Sequence, residues 1–205
     1  MLKIWGRTNS VNVKKVLWAA DELGLQYERV DAGMHFGIVD TPEYRKLNPN
    51  SLVPTIEDDG LVLWESHSIV RYLAAKYGEG KLWPTNPRAR ADVDRWMDWT
   101  FTLQTGLGPV FRGLVRTPPE KRDPKAIEEG RKKAAELLSI PNAMLAGRQY
   151  LGGSELSMGD IPLGCHVQLW MRLPIERPTY PNLDAWFERL CARPAYKKNV
   201  DIPLS

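Results

Sequence analysis

A change of pattern near residue 80 most constrains what this chain can fold into. Before it, apolar residues alternate between strand and helix spacing; after it, every patterned stretch is helical. Leu2 to Trp5 is a short apolar strand. Val13, Val16, Leu17, Ala20 and Leu23 follow at helical spacing, and Gly24 stands where a helix closes on a left-handed residue. Tyr27 to Val30 reads as a second strand and Pro42 to Leu47 as a short helix. Thr55 to Glu57 and Leu61 to Trp64 flank Asp58-Asp59-Gly60 as a hairpin, and a helix from Ser66 carries Ile69, Tyr72, Leu73 and Tyr77 on one side. The order β-α-β-α-β-β-α predicts a mixed sheet, with a parallel pair from a right-handed crossover and an antiparallel hairpin at the other edge. Gly78 to Pro87, with two Gly and two Pro, reads as a linker. The fold class is therefore α+β in two domains: residues 1–78, a linker at 79–87, and an all-helical domain at 88–205.

In the helical part, Val93, Trp96, Met97, Thr100 and Leu103 form one long stripe. After Pro118-Pro119 another helix starts near Pro124 and runs through Ala134, Leu137 and Leu138, with Pro141 expected to kink or break it. Ser157-Met158-Gly159-Asp160 fits a capping box, and Arg193-Pro194 ends a helix containing Leu183, Trp186 and Leu190.

Composition excludes several classes of function. The net charge is +3, but the basic pairs Lys14-Lys15, Lys132-Lys133 and Lys197-Lys198 are spread among acids, so no nucleic-acid surface is expected. No stretch approaches the ~18 consecutive apolar residues of a membrane span, and Met1 to Trp5 reads as a strand rather than a leader, which makes cytoplasmic residence the expectation. The two cysteines, Cys165 and Cys191, lie far apart without a partner motif, and only three histidines are present, so neither a disulfide framework nor a metal is expected.

Asn48-Pro49-Asn50-Ser51-Leu52-Val53-Pro54-Thr55-Ile56, followed by Leu63-Trp64-Glu65-Ser66, carries the chemistry of recognition. A cis Val53-Pro54 bond would reverse the chain sharply and leave the amide and carbonyl of Val53 facing outward as a pairing partner. Glu65 and Ser66 stand at a helix start, whose free N–H groups hold carboxylates, while Glu65 can take an ammonium. Together they suit a small zwitterionic peptide. Singly, Ser66 reads as an N-cap and Pro54 as a strand starter. In combination the stretch resembles the glutathione-binding segment of the cytosolic glutathione transferases, in which a cis-Pro loop holds the cysteinyl backbone and a Glu/Gln-Ser pair holds the γ-glutamyl end. Leu145 to Leu151, Ser157-x-x-Asp160 and Tyr180-Pro181-Asn182-Leu183-x-x-Trp186-x-x-x-Leu190-x-x-Arg193-Pro194 resemble the all-helical half of the same family. The likeness covers nearly the whole chain, and implies a thioredoxin-like first domain, glutathione as co-substrate and a homodimer.

Gly6 to Val16 joins the first strand to the first helix, the end of a sheet where ligands gather. A thiol of pKa about 8.5 held at about 6.5 to 7 needs roughly 2 to 3 kcal/mol of thiolate stabilisation. A donor to a charged acceptor supplies about 1.5 to 3 kcal/mol and a helix N-terminus about 0.3 to 1 more, so no general base is needed. The resemblance to bacterial Ser/Asn-loop transferases of theta, phi and nu type places Ser10 as thiolate donor, with Asn12 as its rival; by itself Ser10 reads as an N-cap. Redox branches of the superfamily carry a cysteine in this loop, and here none lies in residues 1–164.

One departure touches the glycyl end. Relatives place Lys or Gln just before the Val-Pro pair, whereas this chain has Leu52, which leaves His35 as the candidate for that carboxylate. The electrophile site is expected between the loop and the second domain, with Arg7, Arg112 and Arg116 supplying positive charge for an anionic substrate and Trp99, Phe111 and Trp170 as apolar walls. His67 and Arg71 are candidate dimer contacts. The expected reaction is conjugation of the glutathione thiolate to a small electrophile. The alternatives are a peroxidase or disulfide reductase run by glutathione without a protein thiol, and a non-catalytic binding module.

Overall fold

The computed structural model describes residues 1–205. Its first part is β1 (Leu2–Trp5), α1 (Val11–Glu22), β2 (Tyr27–Val30), α2 (Pro42–Leu47), β3 (Thr55–Asp58), β4 (Leu61–Trp64) and α3 (Ser66–Tyr77). The helical part is α4 (Pro87–Phe111), α5 (Pro124–Met144), α6 (Asp160–Arg172), α7 (Pro181–Ala192) and α8 (Pro194–Asn199). The sheet runs β2-β1-β3-β4, with β1 and β2 parallel and both β1/β3 and β3/β4 antiparallel, which is the expected mixed sheet.

The hairpin is tighter than expected. Asp58 pairs with Leu61, leaving Asp59 and Gly60 as a two-residue turn, and their φ of 49° and 85° are the left-handed values such a turn requires. Asp58 joins the strand because its buried carboxylate accepts from Tyr72 Oη, Lys76 Nζ and Tyr77 Oη on α3. Gly24 closes α1 at φ 67°, as its position suggested.

Two apolar cores meet across α1 and α3. The smaller joins Leu2, Ile4 and Ile56 of the sheet to Val13, Val16, Leu17, Ala20, Ile69 and Leu73. The larger is built by the helical part but also takes Trp18 and Ala19 from α1 and Val70 and Ala74 from α3. Each of these helices thus presents one face to the sheet and the other to the bundle. Glu22 of α1 pairs with Arg193 at 2.6 Å, and Lys198 of α8 with Asp21 at 2.7 Å, so charges reinforce the apolar contact.

The stripe from Val93 to Leu103 is buried as expected. Pro141 does not break its helix: α5 continues to Met144, because Pro141 lies in the final turn, where only one ladder bond is forfeited, and its ring is buried in the bundle. Helices α4 and α5 cross where Gly106 and Gly130 face each other; a Cβ on Gly106 would stand 2.7 Å from the Ala134 nitrogen. At the start of α6 the capping box is recognisable, with Ser157 N and Oγ both donating to Asp160 Oδ2 at 2.9 and 2.8 Å. The buried Asp160 also accepts from Leu151 N and Trp186 Nε1, which ties three segments of the bundle together.

Candidate active site

The loop after β1 passes directly into α1. Ser10 takes the N-cap position with extended backbone, but its hydroxyl caps nothing. With no hydrogen bond to any group of the chain, its hydroxyl can donate to a ligand. Asn12, one residue into α1, accepts at Oδ1 from Lys15 Nζ at 2.9 Å. Both side chains border two cavities. One, of about 340 Å³, is lined by Arg7, Ser10, Asn12, Lys14, Phe111 and Arg116 among others. The other, of about 300 Å³, shares Met34 with the first and adds Gly33, Ser51, Leu52 and Val53.

The Val53 side of this paired cavity is held by buried hydrogen bonds. The Val53-Pro54 bond is cis. The carbonyl of Leu52 accepts from Tyr44 Oη at 2.7 Å and Asn48 Nδ2 at 2.9 Å; Asn48 Nδ2 also donates to Thr55 Oγ1, whose own O–H donates to Tyr44 Oη. With Leu52 and Thr55 pinned on either side, Val53 makes no backbone hydrogen bond within the chain, and its amide and carbonyl remain open to a ligand. The Leu52 side chain itself stands 64% exposed.

At the start of α3 the structure shifts the expected roles by one residue. Glu65, not Ser66, is the N-cap, and it holds φ 72°, a left-handed value that costs a residue with a Cβ of order 1 to 3 kcal/mol. Its carboxylate is exposed and unpaired. Ser66 is the buried first residue of the helix, so its hydroxyl sits beside the free N–H groups of the first turn. Met34 and Ser51, which line the second cavity, are also left-handed, at φ 53° and 54°. Nothing in residue type announces these three strained positions.

The far side of the cavity is strongly positive. Arg7, Arg112 and Arg116 line it together, with no carboxylate side chain among the lining residues. Arg7 Nε is buried without a partner, and burial, then repulsion from Arg116, lowers the affinity of its guanidinium for a proton. Arg112 and Arg116 lie on a π turn at Arg112–Arg116 that follows Pro109 inside α4, a local widening of the kind found where helices carry ligand contacts. Arg116 also lies over the Phe111 ring at 5.6 Å.

Several expected residues lie elsewhere. Trp170 is fully buried in the helical core, where Leu169 takes the wall position instead. Trp99 stands in a separate apolar groove with Trp96, Ile140 and Met144. His35 occupies an exposed 3-10 turn, stacked on Phe36 at 3.9 Å, and it is Met34, its neighbour, that reaches the cavity. His67 and Arg71 are committed within the chain: His67 is buried against Lys15, and Arg71 pairs with Asp94 and Asp98 of α4. Cys165 is fully buried and its thiol is pushed up to about 12 by burial, so it stays protonated. No group of three His, Cys, Asp or Glu side chains is placed to hold a metal ion.

A mixed four-stranded sheet with a cis-Pro loop, joined to a helical bundle that supplies the other wall of one cavity, defines a two-domain protein of thioredoxin-like type. Residues 1–75 match the family model "Glutathione S-transferase, N-terminal domain" and residues 105–194 match "Glutathione S-transferase, C-terminal domain". The chain is 43% identical to glutathione S-transferase GstB of Escherichia coli, over all of both chains. It is 31% identical to a probable glutathione S-transferase, GSTF1, of Oryza sativa, over 96% of this chain and 94% of that one. Its fold matches the theta class glutathione S-transferase of Xanthomonas axonopodis pv. citri, solved with glutathione bound, at a TM-score of 0.95 and 49% identity, covering 100% of this chain and 99% of that one. The chain belongs to the glutathione S-transferase family and is an enzyme of that class.

Proposed function

We propose that the paired cavity holds glutathione on its Val53 side and an anionic electrophile on its arginine side, with Ser10 and Asn12 donating to the sulfur between them. The cysteinyl backbone would pair with Val53, the γ-glutamyl carboxylate would sit on the first-turn N–H groups at Ser66, and its ammonium would face Glu65. Hydrogen bonds from Ser10 Oγ and Asn12 Nδ2 favour thiolate over thiol by preorganised donors rather than by a base. The thiolate lone pair forms the C–S bond as the bond from carbon to its leaving group breaks, and the group departs with that electron pair. We further propose the division at 1–78, 79–87 and 88–205, cytoplasmic residence, and a homodimer; exposed Leu61, Val62 and Trp64 on the edge strand β4 offer apolar surface for the dimer, and no helix is long and apolar enough to cross a membrane.

One observation carries the substrate class: three guanidiniums share a cavity wall that no Asp or Glu side chain lines. A charge-assisted hydrogen bond to a substrate carboxylate contributes about 1.5 to 3 kcal/mol, or roughly ten- to a hundredfold in kcat/KM. The test compares a short halocarboxylate with a neutral haloalkane of equal length, in wild type and in Arg112→Gln and Arg116→Gln. A preference for the acid that falls by that factor in the variants supports the assignment, and equal turnover of the two substrates by wild type sinks it. Assays of organic peroxide and disulfide reduction alongside show whether two glutathione molecules run a redox reaction in the same site instead.

A further inference from the structure

Beside Asn12 lies a buried lysine whose ammonium pKa burial pushes down to about 8, which leaves it charged at neutral pH. Lys15 is fully buried in α1. Its Nζ makes two contacts, to Asn12 Oδ1 at 2.9 Å and to His67 Nε2 at 2.9 Å, and neither partner is an acid. A buried ammonium without a carboxylate partner is costly and rare.

The donor rules fix what those contacts mean. An ammonium only donates, so Asn12 must turn its oxygen to Lys15, and its two N–H groups are left without a partner in the chain. By the same rule His67 accepts at Nε2 and is neutral, with its proton on Nδ1. Burial, and then the Lys15 charge, hold His67 in that state by pushing its pKa down to about 2.

The groups that face Lys15 from every side leave it largely unbalanced. Its own helix contributes Asn12 and Lys14, and Lys14 is spent on the carbonyl of Val200. From the start of α3 come Glu65 and His67, and from α6 come Cys165 and His166. Cys165 is protonated. His166 donates from Nδ1 to the Pro162 carbonyl, and burial, then Lys15, push its pKa down to about 3. Glu65 is the only acid among these groups, and it lies out on the exposed surface.

We propose that Lys15 is a positioning residue for thiol activation: it locks the Asn12 amide with Nδ2 free for the sulfur and sets an unbalanced ammonium behind it, so the cosubstrate ionises more readily. This rests on the reading that Ser10 and Asn12 hold the sulfur. By linkage, a bound thiolate would in turn tighten the hold of Lys15 on its own proton.

The test uses the full-length enzyme with glutathione as probe, following thiolate absorbance of the complex against pH and measuring affinity by calorimetry. Lys15→Met keeps most of the side-chain length but loses both donor and charge, a change of buried ion to apolar group that folds tolerate. Its complex should bind glutathione within about threefold of wild type while the thiol pKa rises by about one unit, a tenfold loss of thiolate at low pH. Lys15→Gln, which keeps a donor without the charge, should fall between, and Lys15→Arg should lie nearer wild type than Lys15→Gln. Adding Asn12→Ala to Lys15→Met should shift the value less than Asn12→Ala does alone. An unchanged thiol pKa in Lys15→Met overturns the proposal while leaving Ser10 and Asn12 in place. If Lys15→Met fails to fold, equal values in Lys15→Gln and Lys15→Arg overturn it. A wild-type complex whose thiol titrates like free glutathione sinks the reading of the loop itself.

Discussion

At the scale of single residues, position and chemistry part company. Pro54 and the helix start at Glu65 and Ser66 are legible because a proline sets a turn and an acid and a hydroxyl favour a helix start, whereas the N-cap place of Glu65 and its left-handed backbone are not. Ser10 was legible in place but not in state, since only the structure shows that its hydroxyl leaves the helix uncapped. Lys15 was not legible at all, because a lysine in an amphipathic helix reads as solvated and here is buried. Replacing Ser10 by Ala should lower kcat/KM by about one to three orders of magnitude with little change in glutathione affinity, as expected of donors that act on developing charge; full activity in that variant would hand the role to Asn12. Tyr44→Phe is expected to cost about 1 to 3 kcal/mol by taking one of two donors from Leu52 O and leaving the Thr55 hydroxyl without its acceptor. Denaturant unfolding should show the loss, and a raised KM for glutathione should accompany it, since Leu52 O anchors the loop that presents Val53.

At the scale of elements, periodicity recovered nearly everything whose burial has a period. The sheet strands and α1, α3, α4 and α7 follow their apolar spacing. Missed features have no periodic signal: the π turn at Arg112–Arg116, the left-handed N-cap at Glu65, and α8, too short for a stripe. The tryptophans show the limit of the same reasoning. Trp99 and Trp170 are expected as apolar walls of the electrophile site, yet one lines another groove and the other fills the core. The crossing of α4 and α5 rests on close backbones at Gly106 and Gly130, and a side chain there must push the helices apart. Gly106→Ala should therefore destabilise by about 1 to 3 kcal/mol despite alanine's better helix propensity, lowering Tm by roughly 2 to 4 °C per kcal/mol. An unchanged Tm would mean that the crossing relaxes freely.

At the scale of the whole molecule, two neutral histidines lie in the seam between sheet and bundle. His67 of α3 stacks on Phe101 of α4 at 4.5 Å, and His166 of α6 bonds Gln104 of α4. Their folded pKa values, about 2 and about 3, lie below the ordinary 6.5. Between those limits the unfolded chain binds protons that the folded chain refuses, so stability falls as pH drops below 6.5. Each histidine contributes up to about 1.4 kcal/mol per pH unit in that window. Stability measured by denaturant at pH 7, 6 and 5 should decline, and His166→Gln should flatten the slope by about half. A slope that His166→Gln leaves untouched would place the acid sensitivity in carboxylates instead.

The two-faced packing of α1 and α3 also bears on synthesis. The sheet segment leaves the ribosome first, with Trp18, Ala19, Val70 and Ala74 waiting for helices that do not yet exist. Asp21 and Glu22 find their partners only at Arg193 and Lys198, near the far end of the chain. At ordinary elongation rates the stretch from α3 to α8 takes roughly 6 to 24 seconds to emerge. For that interval the sheet half is a nascent chain with a bare greasy flank, and a stop codon in the bundle would strand it there.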